Sequence, residues 1–212
     1  MLTISQKMLS FLHEEYSKNH RHYHNLDHIA NVLSVLVQYK SKFSNFNAAE
    51  LAAYFHDIVY NVGDSYEYNE MLSRDKFIEI ISDANPHIVY DGNCQDFKTV
   101  TLAATMIDCT HGHTLDRIDT TLLTGGEIED IKMFLDADIK ILAEPIKTVI
   151  QFEENIRKEF SMYDDETYRK GRVSVLEGFL ARPRIFMSEI GKGWENTARK
   201  NLRMLIDNIK RG

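Results

Sequence analysis

AAYFHDIVY, residues 52 to 60, is an apolar helical stretch interrupted by an adjacent His56 and Asp57. Leu51, Phe55, Ile58 and Val59 around the pair place this turn in the core, where an imidazole and a carboxylate are costly to bury unless something pairs them. A bound cation is one such partner. Consecutive helical residues point about 100° apart, so both side chains reach one ion only if it lies beside the helix, near its end. The dyad is therefore half a site, and its remaining ligands must come from elsewhere in the chain.

Working outward, Asn47 with Glu50 three residues on reads as a capping box opening the helix that carries the dyad. NVGDS, with Gly63 free to take positive φ, closes that helix near Tyr60. Upstream, Thr3 reads as the N-cap of a helix with Ile4, Met8, Leu12 and Tyr16 on one face. Asn25 caps a second helix, whose apolar face is Leu26, Ile29, Val32, Leu33, Leu36 and Val37 and whose first turn holds His28. Downstream, the periodicity predicts helices over about 66 to 82 and 95 to 108, separated by Asn85-Pro86 and Asp91-Gly92. Residues 115 to 124 show no period; Gly125-Gly126 then precedes a helix carrying Asp136 and Asp138, which stops before Pro145. Three amphipathic segments follow, near 146 to 162, 165 to 181 and 194 to 209. Period 3.6 dominates and no run alternates, so the expected fold is all-α: a single-domain helical bundle spanning 1 to 212, without internal repeat or linker.

Composition restricts the function classes. The 43% hydrophobic and 27% charged residues are those of a soluble globular domain. A formal net charge of −7 argues against nucleic acid as the main partner, because such binders concentrate Lys and Arg to neutralise phosphates. Two cysteines, Cys94 and Cys109, without finger spacing suit a reducing compartment and read as packed thiols. With no basic-then-apolar leader and no run of ~20 apolar residues, the expected location is the cytoplasm, away from membranes. A homo-oligomer is compatible with this composition.

His28, His56-Asp57 and an acidic group within FLDADIKIL (134 to 142) form an ordered set of two imidazoles and two carboxylates on helices or their ends. Such a set suits a divalent transition metal or Mg²⁺, and positions left for water and substrate would make it catalytic. With these residues in place, the chain resembles the HD superfamily of metal-dependent phosphohydrolases, all-helical proteins named for this His-Asp pair. It looks closest to a small branch with a first histidine in RHYHNxxHI, a dyad in WFHDxVY followed by Asn-Glu, and a last aspartate in FLDADLxIL. Here these stand as RHYHNLDHI (21 to 29), FHDIVY (55 to 60), Asn69-Glu70 and FLDADIKIL, with further matches at IRKEF (156 to 160), YRKGR (168 to 172) and ARKNL (198 to 202). Two departures occur: CTHGH stands where a pattern like ATKxH is usual, so that His111 is extra, and Tyr54 replaces a frequent Trp.

The resemblance implies an all-helical hydrolase of a phosphate ester, either a phosphomonoester or a phosphodiester, with a nucleotide as one candidate substrate. It implies a divalent ion, one of Mn, Mg, Zn, Co, Ni or Fe, held by His28, His56, Asp57 and Asp138. Asp138 is preferred to Asp136 because it follows alanine in Ala137-Asp138-Ile139; the two carboxylates lie about 200° apart on a helix and cannot both face the ion. Asp57 and Glu70 are the expected catalytic groups, Glu70 holding water or acting as acid or base. Arg21, His24, His113, Lys170 and Arg172 are the expected substrate-binding residues, since an acidic protein needs local cations to hold a phosphate. Arg157, Arg169 and Arg199 are expected to form intramolecular ion pairs. Two other functions share these residues. One is a di-iron oxygenase, which needs extra ligands from His24, Glu70, His111 or His113; the other is a metal-binding regulatory module without turnover.

Overall fold

In the computed structural model, residues 2–63, 68–86 and 95–211 are described. Among them are nine α-helices and no strand: α1 Gln6–Tyr16, α2 Leu26–Gln38, α3 Phe46–Phe55, α4 Asn69–Ala84, α5 Gln95–Thr110, α6 Gly125–Asp138, α7 Ile146–Glu159, α8 Asp165–Ala181 and α9 Glu195–Arg211. Short 3₁₀ turns punctuate them, notably Ile139–Ala143 directly after α6. None of these helices is long and apolar enough to cross a membrane. The expected start of a helix at Tyr66, the turn at Asp91-Gly92 and Cys94 lie outside the described residues. Cys109 is buried, and burial pushes its thiol up to about 12.

Two apolar clusters share one domain. The first is built by α1 to α6, with Tyr16, Leu36, Leu51, Phe55, Phe77, Met106 and Phe134 wholly enclosed. Each such side chain contributes about 1.5–3 kcal/mol by leaving water. Small residues on α3, Ala48, Ala49, Ala52 and Ala53, let α2, α5 and α6 approach closely, so this helix runs through the centre of the cluster. The second cluster joins the Ile139–Ala143 turn to α7, α8 and α9 through Leu142, Val149, Ile156, Leu176, Phe186 and Leu202. Asn201 of α9 donates to the Leu142 and Glu144 carbonyls, tying α9 to that turn. The site lies where the clusters meet.

Three expected helix ends are corrected. Ser5, not Thr3, caps α1, accepting from the Met8 N–H at 3.2 Å. Asn45, not Asn47, caps α3: its side chain accepts from Ala48 N, while Asn47 turns to the Leu2 carbonyl. The same helix stops at Phe55 rather than near Tyr60 because side chains take over the following backbone. Arg21 donates to the Asp57 and Ile58 carbonyls, the Ser73 hydroxyl accepts from Val59 N, and Asn69 exchanges hydrogen bonds with Asn61. Satisfied in this way, the backbone groups need no further helical turn. Gly125 and Gly126 sit inside α6, whose capping box is Thr124 with Glu127.

Candidate metal centre

The end of α3 puts the dyad where one point is within reach of both side chains. His56 is the helix C-cap and Asp57 the next residue, so the pair leaves the 100° helical spacing just as it reaches the site. His28 comes from the first turn of α2, fixed by Asn25, which accepts from Asp27 N and His28 N. Asp138 is the last residue of α6.

These four side chains converge. The Nε2 atoms of His28 and His56 are 3.0 Å apart. Asp57 Oδ2 lies 3.3 Å from His28 Nε2 and 3.0 Å from His56 Nε2, and Asp138 Oδ1 lies 3.1 and 3.3 Å from the same two atoms. One ligand atom each from His28, His56 and Asp138 falls within 4.8 Å of the others, a spacing able to hold a metal ion. His56 Nδ1 donates to the Ala53 carbonyl at 3.1 Å, which leaves Nε2 of the neutral ring with its lone pair toward the centre.

The electrostatics fit a cation. Burial pushes the His56 imidazole down, but the Asp57 and Asp138 charges outweigh it and hold the group well above its ordinary range. His28 is likewise lowered by burial, but its hydrogen bonds to Asp138 and Asp57 outweigh this and raise it above its ordinary value. Burial raises both carboxyls, yet the His56 charge, helped by His24 at Asp57 and by His113 at Asp138, holds them well below the carboxylate range. Lone pairs crowded in a buried site favour positive charge, which a metal ion held there by neutral imidazole and carboxylate would supply.

Asp136 points elsewhere. It accepts from Met187 N at 2.7 Å, Ser188 N at 2.8 Å and Ser188 Oγ at 2.5 Å, so it caps the turn after α8 while Asp138 faces the dyad.

A cavity of about 910 Å³ opens over the cluster, lined by His28, Asp57 and Asp138 and by His24, Glu70, His111, His113 and Arg172 among others. His113 Nε2 lies 2.8 Å from Asp138 Oδ2, on a residue whose φ of 48° marks a left-handed turn after Gly112. Glu70 Oε2 approaches His111 Nδ1 at 3.3 Å. Arg172 donates from Nε to Glu153 at 2.8 Å and lies over the Phe152 ring.

Two expected cations are placed elsewhere. Arg21 does not line the cavity; it is buried, donates to the His24, Asp57 and Ile58 carbonyls, and packs on the Tyr16 and Tyr60 rings. A guanidinium committed to carbonyls behind the dyad supports the loop instead of receiving a phosphate. Lys170 pairs with Glu166 at 2.6 Å on the exposed face of α8, also outside the cavity. Arg157 and Arg199 bind carboxylates and carbonyls of their own neighbourhood.

Several lining or supporting groups were not singled out by the sequence. Glu159, the last residue of α7, is buried and accepts from Tyr23 N at 2.7 Å, His24 N at 2.9 Å, His24 Nδ1 at 2.7 Å and the Tyr60 hydroxyl at 2.8 Å. It orients His24, whose ring stacks on Tyr60. The available signal was an acid at a helix C-terminus, which opposes the helix dipole and calls for compensation. Arg117 and Arg182 also line the cavity, Arg182 donating to the Gly112 and His113 carbonyls. Neither lies in a periodic context that would mark it.

Comparison of the chain with protein-family models, with curated proteins and with solved structures finds no match. The fold and site define an all-helical protein with a buried His/His/Asp cluster able to hold a metal ion.

Proposed function

We propose that this protein is a metal-dependent hydrolase of phosphate esters. The observation that carries this reading is the convergence of His28, His56, Asp57 and Asp138 at the wall of a cavity whose lining includes Arg117, Arg172 and Arg182. Those four side chains would hold the ion, which supplies Lewis acidity toward a phosphoryl oxygen and acidifies water at neutral pH. The reaction breaks the P–O bond to the alcohol; water gives OH to phosphorus and a proton to the departing oxygen.

The chain's own residues divide the remaining work. His113 steadies Asp138 through its 2.8 Å hydrogen bond, leaving Oδ1 toward the imidazoles. Glu159 fixes the His24 ring beside the cluster with Nδ1 engaged, so that Nε2 is the atom left for substrate or proton transfer. Glu70, paired with His111 on the cavity wall, is the second proton-handling group. Arg172, half satisfied by Glu153, keeps further N–H donors for a phosphate, a role in which arginine's fork outperforms lysine.

Elemental analysis of protein purified without chelator, followed by a phosphatase screen across Mn, Mg, Zn, Co, Ni and Fe, tests the reading. Phosphate release that depends on metal and disappears in His56→Ala and Asp57→Ala is the expected result. Stoichiometric iron with oxygen consumption and no phosphate release would overturn it in favour of an oxygenase.

A further inference from the structure

The cavity has two chemically different sides. From the segment after α3, from α4 and from the end of α5 come Asn61, Asn69, Glu70, Thr110 and His111, all polar. From α7, its C-cap Phe160 and α8 come Phe152, Ile156, Phe160, Val175, Leu176 and Phe179. Tyr23 bridges the metal cluster and the second side: its ring centroid is 4.9 Å from that of His28 and 4.5 Å from that of Phe152.

On the apolar side Arg182 is engaged through both terminal nitrogens, and Arg172 through Nε alone, its terminal nitrogens being left for the phosphate. Arg182 lies 4.3 Å over the Phe179 ring and gives its terminal nitrogens to the Gly112 and His113 carbonyls, while Arg172 lies 5.2 Å over Phe152 with Nε on Glu153. A sugar lying on this wall would bring several hydroxyls and find few unused partners, and unpaired polar groups are costly to bury. The wall also leaves carbon uncovered, since Val175 is 50% exposed although α8 turns it into the cavity. At about 910 Å³ the space is near the top of the ~300–1,000 Å³ range of small-ligand sites and far exceeds what a phosphate fills.

We infer that the substrate is a phosphomonoester of a lipophilic alcohol, its phosphate at the His28/His56/Asp57/Asp138 cluster and its hydrocarbon body against the α7–α8 wall. This inference rests on the phosphohydrolase reading. Hydrolysis then releases the alcohol and inorganic phosphate, with water supplying the OH gained by phosphorus and the proton gained by the alcohol oxygen.

The test uses n-alkyl phosphates from ethyl to decyl, with glycerol phosphate and ribose 5-phosphate as polar counterparts, on the metal-loaded full chain. Specificity, as kcat/KM, should rise about fourfold per methylene until the wall is covered, and both polar esters should fall below butyl phosphate. In parallel, calorimetry measures binding of the matching n-alkylphosphonates, which are not hydrolysed; their affinity should climb with chain length in the same way. Val175→Asp, at a position exposed enough to keep the fold, should weaken decylphosphonate binding about tenfold. A flat chain-length series in both arms, or polar esters preferred, overturns the inference while leaving phosphate hydrolysis standing. If no ester is hydrolysed but phosphonate affinity still climbs and falls in Val175→Asp, the lipophilic site stands and the phosphohydrolase reading is what fails.

Discussion

Replacing Glu159 with Gln tests the least expected part of the site. The carboxylate accepts four hydrogen bonds, two from backbone N–H groups, one from the His24 ring and one from the Tyr60 hydroxyl. Burial alone would push its carboxyl up, but the His24 hydrogen bond and charge and the two backbone donors outweigh it and hold the group at about 2, against an ordinary 4.5. At 1.36 kcal/mol per pH unit, that depression corresponds to about 3 kcal/mol of stability at neutral pH. Because the folded value is the lower one, the contribution is complete above pH ~4.5 and is lost as pH falls toward ~2. Glutamine keeps one acceptor oxygen but brings an amide donor against donors already present, so most of that energy should go. Urea unfolding of chelator-treated wild type and Glu159→Gln should differ by about 3 kcal/mol at pH 7, and the gap should narrow steadily as pH falls from ~4.5 toward ~2. A gap under about 1 kcal/mol at pH 7, or one that ignores pH, would refute the reasoning.

The two aspartates of FLDAD should separate cleanly. Asp136→Ala strips the acceptor from Met187 N, Ser188 N and Ser188 Oγ and should cost about 3 kcal/mol in unfolding experiments, with metal content per folded molecule retained. Asp138→Ala should give a folded protein by circular dichroism that no longer retains metal through dialysis. Gly191→Ala should lower the melting temperature by an amount equivalent to roughly 1–3 kcal/mol, since an added Cβ would stand 2.3 Å from Phe186 Cβ and 2.5 Å from Asp136 Oδ2.

The helices and the core of the centre were legible in the sequence for one reason. Apolar residues at period 3.6 announce a buried face, and His28, His56, Asp57 and the FLDAD acids stand out because polar groups on such a face need a partner. The Asn25 cap could be read as well, because it acts over two and three residues. What tertiary structure decided was where the unspecialised charges go. Arg21 finds carbonyls 36 and 37 residues away, Glu159 finds His24 at a separation of 135, and nothing in either neighbourhood names those partners. The choice of Asp138 over Asp136 rested on a resemblance, whereas in the folded chain it follows from the turn at Met187 and Ser188, whose donors claim Asp136. Local periodicity sets which faces are buried. Which buried donor meets which acceptor is fixed only when α2, α3, α6 and α7 pack around one cavity, because hydrogen bonds reach about 3 Å and carry no record in sequence spacing.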